Sequence, residues 1–146
     1  DIRVVSEPEE AVKDVDIVVT STPSRIPLVL DEWVAEGTHI NAIGADAPGK
    51  EEIDPLLLKR AKIVVDDWRQ AAHSGEINVP LAKGLITKDD IYGELGEIVA
   101  GKKCGRASEE EITVFDSTGL AIQDVATAWF VYQKAREEGK GSEMEL

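Results

Sequence analysis

Cysteine occurs once in the 146 residues, at Cys104, so an internal disulfide is excluded and a reducing compartment is expected. Lys102, Lys103 and Arg106 flank that thiol and could favour a thiolate. No second Cys and no His stands near it in sequence, so an inert thiol in a basic turn is the plainer reading. Basic residues are scarce: 16 Lys plus Arg against 29 Asp plus Glu give a net charge of −13. A chain of that sign repels phosphate backbones and anionic lipid, which argues against nucleic acid and membrane as partners. No apolar run approaches a membrane span and no charged-then-apolar leader is present, so a soluble, cytoplasmic protein is expected. Low-complexity segments and solenoid-period repeats are also missing. The most telling absence concerns glycine: none of the 12 glycines builds a Gly-x-Gly-x-x-Gly, the loop that lets a dinucleotide fold bring its backbone up to a pyrophosphate.

What is present is an alternation of short β-branched runs with helical patterns. Runs at Ile2 to Val5, Ile17 to Thr20, Thr38 to Ile43, Lys62 to Val65 and Ile112 to Phe115 each end in turn or cap residues. This predicts an α/β fold with a parallel sheet and flanking helices. Helix starts are predicted at Ser6 with Pro8, at Asp54 with Pro55, and at Thr87 with Asp90 three residues on. The helix after Thr87 would align Ile91, Leu95, Ile98 and Val99. A final helix through Val131 would align Ile122, Val125, Ala126, Trp129 and Phe130, a stripe that needs a dry partner. Trp33, Trp68 and Trp129 read as core or interface anchors. The polar stretch from Glu137 to Leu146 reads as a mobile tail.

Thr38-His39-Ile40-Asn41-Ala42-Ile43-Gly44-Ala45-Asp46-Ala47-Pro48-Gly49-Lys50 carries an apolar strand into a loop that presents one carboxylate between small residues. Gly44 lets the backbone leave the sheet without a Cβ clash, and Pro48-Gly49 turns it after the acid. Asp46 is thereby expected at a strand's carboxyl end, the edge where open α/β sheets bind ligands. Partial burial there would raise its pKa towards an acid/base value. The competing reading is a cap for a helix starting near Glu51. Ser117 and Thr118 leave another strand and either meet a ligand with the helix N–H groups behind them or cap that helix. Thr20, Ser21, Thr22 and Pro23 leave a third strand as a ligand-edge turn or a plain one. Lys50 reads as solvated. Asp66-Asp67 lacks a third ligand at metal spacing and reads as a helix cap, so no metal site is expected. His39 and His73 have no nucleophile and third residue to complete a triad.

Gly44-Ala45-Asp46-Ala47-Pro48-Gly49-Lys50 resembles the Gly-x-Asp-x-Pro-Gly-Lys signature of the ornithine cyclodeaminase/μ-crystallin family. Asp16 to Ser24 resembles that family's strand and Thr-Pro-Ser turn, Val114 to Asp124 its Phe-Asp-Ser-(Thr/Val)-Gly junction, and Glu76-Ile77-Asn78 adds a weaker match. The resemblance spans nearly the whole chain, with wording closest to the archaeal alanine dehydrogenase branch. It implies the second half of a Rossmann-like NAD(P)-binding domain over residues 1–120, lacking the first two strands, and a carboxyl-terminal helix and tail over 121–146. In the doubly wound order 3-2-1-4-5-6, Ile2 to Val5 would be the third strand and the later runs the fourth to sixth. By the resemblance, Asp46 is the proton-transfer residue. Thr20, Ser21, Thr22, Pro23, Ala45, Ala47, Ser117, Thr118 and Gly119 line NAD, with NADP not excluded.

The implied activity is that of an oxidoreductase converting L-alanine to pyruvate and ammonia. Ornithine cyclodeaminase, ketimine or pyrroline-carboxylate reductase, and a non-catalytic μ-crystallin-like binder are the alternatives. Implied partners are a small amino-acid or imino-acid substrate, a missing amino-terminal portion and a second subunit, with the isolated chain inactive. Calorimetry should find NAD binding to these 146 residues weak or undetectable, because the pyrophosphate loop is not among them. Micromolar affinity would contradict that expectation.

Overall fold

The computed structural model describes residues 2–142 and 144. Its centre is a five-stranded, wholly parallel sheet of order β1-β3-β7-β5-β6, formed by Ile17–Thr20 (β1), His39–Ala42 (β3), Lys62–Val65 (β5), Ile91–Glu94 (β6) and Thr113–Asp116 (β7). Arg25–Val29 (β2) and Glu51–Ile53 (β4) make a separate parallel pair. Its register shifts between Arg25 and Val29, where Pro27 has no N–H to give. The helices are Pro8–Val12 (α1), Pro55–Arg60 (α2), Trp68–Ser74 (α3), Asn78–Ala82 (α4), Leu95–Val99 (α5) and Ala121–Glu137 (α6). The α/β architecture with a parallel sheet and flanking helices is as the sequence predicts.

Register explains why one face of the sheet is the core. Ile40, Val114 and Ile63 lie side by side across the three central strands, all at most 1% exposed. β-branched residues fit such a pleated, buried layer. Val12, Val29, Val34, Ile53, Leu57, Leu58, Ala71 and Ile77 close over them. Asp54 starts α2 as expected, accepting from the Leu56 N–H at 2.9 Å with Pro55 in the first turn. The opposite face, carrying His39, Asn41, Thr113 and Phe115, is only half-buried and opens on a cavity bordered by Leu95, Ile98 and Arg106.

Several expectations are corrected. Ile2 to Val5 forms no strand: Ile2 and Val4 are 96% and 90% exposed, and no strand among the described residues lies alongside to complete a ladder. The later strands do not follow one another in chain order, because β7 inserts between β3 and β5. Glu7, not Ser6, precedes α1. Glu51 opens strand β4 rather than a helix, which removes the helix that Asp46 could have capped. Thr87 and Asp90 do form a capping box, but around a three-residue 3-10 turn, Lys88–Asp90. Ile91 then pairs with Ile63 in the sheet, so the predicted helical stripe is split between β6 and α5. Trp33 and Trp68 pack against the core. Of the expected tail, Glu143, Glu145 and Leu146 lie outside the described residues.

Helix α6 runs on to Glu137 and buries none of its side chains. Ile122, Val125, Trp129, Phe130 and Val131 are each more than half exposed. An apolar surface of that kind marks an interaction face. The chain should therefore self-associate in light scattering, and Trp129→Ala should weaken that association. Because Trp129 is 59% exposed within the chain, the same change should alter its intrinsic stability by no more than about 0.5 kcal/mol. A monodisperse monomer unaffected by the substitution would contradict this.

Candidate active site at the carboxyl edge of the sheet

Thr20, Ala42, Asp116, Val65 and Glu94 form one row across the ends of the five strands. The loops that leave this row carry the residues singled out from the sequence. Thr20, Ser21, Thr22 and Pro23 follow β1, Ala45, Asp46 and Ala47 follow β3, and Ser117, Thr118 and Gly119 follow β7. These three loops emerge from adjacent strands, since β1 pairs with β3 and β3 with β7.

Each loop is held by a side-chain acceptor rather than by a ladder. Glu52, fully buried on β4, accepts the Thr22 N–H at 2.7 Å through Oε1 and the Gly44 N–H at 3.0 Å through Oε2. Asn78 holds the far side of the Asp46 loop, accepting from the Gly49 N–H at 2.9 Å and donating to the Lys50 carbonyl at 2.9 Å. Asp66 accepts the N–H groups of Thr118 at 2.6 Å and Gly119 at 3.0 Å, and the Thr118 hydroxyl at 2.9 Å. Gly44 is required by closeness: a Cβ there would collide with Glu52 Oε2 and the Thr22 backbone.

Asp46 itself is exposed and paired with Lys50. The Lys50 ammonium, by hydrogen bond and by charge, holds its carboxyl below the ordinary carboxylate value. This reverses the direction expected from partial burial and corrects Lys50 from a solvated side chain to the partner of the acid. The loop N–H groups directly behind Ser117 are engaged, and the first turn of the helix lies further on. Those of Thr118 and Gly119 are taken by Asp66, the Ser117 N–H goes to the Ala42 carbonyl at 2.9 Å, and α6 starts after Leu120 with no side-chain cap. Asp67, as expected, caps α3 by accepting the Gln70 N–H at 2.9 Å. His39 Nδ1 lies 2.7 Å from the Thr113 hydroxyl on the half-buried sheet face, away from the loops. Among the described residues no group of three acids, His or Cys is placed to hold a metal.

Beneath the loops lies a pair of acids that sequence reasoning assigned no role. Asp116 accepts the N–H groups of Glu76 at 3.0 Å and Ile77 at 3.2 Å, and Glu76 Oε1 accepts those of Glu52 and Ile53, both at 2.7 Å. Both carboxyls are fully buried, and desolvation outweighs the hydrogen bonds that favour their charged forms. Glu76 is pushed up to about 8 and Asp116 to about 7. The signal available in sequence was slight and confined to Asp116, an acid directly abutting apolar strand residues in Val114-Phe115-Asp116, where a charge needs main-chain donors to be tolerated.

The parallel sheet with ligand-edge loops defines an α/β fold of dinucleotide-binding type. Residues 1–139 match the ornithine cyclodeaminase/mu-crystallin family, and the chain belongs to it. It is 58% identical over 140 residues to the alanine dehydrogenase of Archaeoglobus fulgidus, an alignment covering 96% of this chain and 44% of that protein. A solved archaeal alanine dehydrogenase dimer with bound NAD matches it with a TM-score of 0.90 at 58% identity, over 98% of this chain and 44% of that one. The Δ1-pyrroline-2-carboxylate reductase of Thermococcus litoralis, solved with NADH and L-proline, matches with a TM-score of 0.89 at 40% identity, over 96% of this chain and 44% of that one. The chain thus spans less than half the length of these relatives.

Because the folded-state pKa of Glu76 and Asp116 exceeds the ordinary values of 4.5 and 3.8, their protonation stabilises the fold. That contribution is complete below the ordinary values and is lost as pH rises through about 7 to 8. Denaturant melts between pH 5 and 9 should show stability falling, and Glu76→Gln should flatten the fall by at least about 1.4 kcal/mol, the equivalent of one pKa unit. Parallel curves for the two proteins would rule out titration of Glu76 in the fold.

Proposed function

We propose that the whole protein containing this chain is an NAD-dependent amino-acid oxidoreductase of the alanine dehydrogenase type. The observation that carries the reading is the 58% identity to the Archaeoglobus fulgidus enzyme, against 40% to the solved pyrroline-carboxylate reductase. The reaction would be L-alanine, NAD⁺ and water giving pyruvate, ammonium, NADH and a proton.

The residues present fit one end of such a cofactor. Thr20, Ser21, Thr22 and Pro23, with Ala45 and Ala47 and with Ser117, Thr118 and Gly119, leave neighbouring strands at the ligand edge. The Thr20 hydroxyl is buried at the end of β1 with no partner among the described residues. NAD, and equally NADP, would supply the hydride acceptor. Asp46 would take the proton from the substrate nitrogen or from the water that adds to the imine carbon. It is ionised at neutral pH, as a proton acceptor must be, although the Lys50 charge that keeps it so also weakens it as a base. In the reverse direction the same carboxyl would return the proton. The second reading, an imino-acid reductase, is supported by the closely similar fold of the protein solved with NADH and L-proline.

In the whole protein, Asp46→Asn should leave NAD binding nearly unchanged and lower turnover by roughly two orders of magnitude or more, the scale of a lost general acid/base. Lys50→Met should move the acid limb of the pH–rate profile upwards, because the group that holds the Asp46 pKa down is removed. Undiminished turnover in the Asn variant would take the proton-transfer role from Asp46, whereas NAD binding with no turnover in the unaltered protein would favour a non-catalytic ligand binder. Initial rates with L-alanine and with Δ1-pyrroline-2-carboxylate would separate the two enzymatic readings.

A further inference from the structure

We propose that Glu52 is a positioning residue, whose two carboxyl oxygens lock the loop that carries Asp46 onto the Thr22 turn. The proposal rests on the reading of Asp46 given above. Glu52 is 0% exposed and spends each oxygen on a different loop: Oε1 on the Thr22 N–H at 2.7 Å, Oε2 on the Gly44 N–H at 3.0 Å. These loops come from adjacent strands, so a single side chain sets the gap between them. The space a Cβ would need at Gly44 is already filled by Glu52 Oε2 and the Thr22 main chain.

The clamp is itself anchored. The Glu52 and Ile53 N–H groups both end on Glu76 Oε1 at 2.7 Å, and the Glu76 N–H ends on Asp116 Oδ1 at 3.0 Å. A continuous run of hydrogen bonds therefore links central strand β7 to the loop holding Asp46. A carboxylate suits this, because the Thr22 and Gly44 N–H groups reach different oxygens of the side chain. A glutamine offers one oxygen and would turn an NH₂ group against the second donor. Burial makes that mismatch costly, and the loop would have to move to relieve it.

Glu52→Gln in the whole protein should therefore lower kcat by about 10²-fold, the scale of a 1 Å misplacement, with KM for the amino acid close to its original value. Gly44→Ala opens the same contact from the other side and should reproduce that kinetic pattern. Specific activity per folded molecule separates this from simple loss of fold. Hydrogen exchange on the unaltered whole protein gives a measurement that needs no variant. The amides of Thr22 and Gly44 should be protected relative to that of exposed Ser21. Free exchange at both amides, or full kcat in a folded Glu52→Gln protein alongside an inactive Asp46→Asn protein, would overturn the proposal while leaving the functional reading intact. Full turnover in Asp46→Asn would overturn the role given to Asp46 and the proposal that depends on it.

Discussion

The loops at the carboxyl edge leave the sheet with main-chain N–H groups that no neighbouring strand can take, and buried side-chain oxygens accept them instead. Buried polar groups must be paired, and here the pairing falls to Glu52, Asp66, Glu76, Asn78 and Asp116, all buried. The shape of the ligand edge follows from where those oxygens sit. Each belongs to a strand or a helix or lies within two residues of one, so the loops inherit the rigidity of regular elements. Two of the acids, Glu76 and Asp116, pay in desolvation for this arrangement, which is why their protonation couples the architecture to pH.

Much of the core and the edge at which the candidate loops meet were legible in the sequence. Ile17 to Thr20 and Lys62 to Val65 are strands with the expected ends, because period-two or continuous β-branched runs bounded by turn residues encode their own boundaries. The Gly44, Thr22 and Ser117 loops come to one edge, as strand–turn logic and the family motifs both implied. The misses share a cause in partners that are distant along the chain. Ile2 to Val5 has strand composition without a neighbour to pair with. Thr87 to Asp90 has helix-start chemistry, but the pairing of Ile91 with Ile63 draws the following residues into the sheet. Glu52 and Glu76 carry no local signature, since a buried carboxylate is intelligible only through the N–H groups that surround it. The Asp46–Lys50 pair sits at i and i+4 in a loop, where no helical rule would have suggested contact.

The molecule is unevenly finished. One face of the sheet is closed by α1 to α4 and the loops between them, while the face carrying His39, Asn41 and Phe115 remains half open and α6 stands with its aromatic residues in solvent. These surfaces differ from the ligand edge in kind. The edge is held by internal hydrogen bonds, whereas the open face and α6 present apolar area whose burial would be worth about 25 cal/mol per Å².

Strand β7 occupies the middle of the sheet although it is the last to be made. During synthesis, β1 with β3 and β5 with β6 can each pair, but the two halves have no shared ladder until Thr113–Asp116 has left the ribosome and slipped between them. Until then β3 and β5 each present an open edge, the template for unwanted strand addition. Arrival of one segment closes both edges at once, supplies the Asp116 oxygens to Glu76 and Ile77, and brings the Ser117 loop to its place. A nascent chain cut short before residue 113 would thus lack the keystone of its sheet and the inner end of the hydrogen-bond run together, so that truncation should yield a sticky intermediate instead of a smaller stable domain.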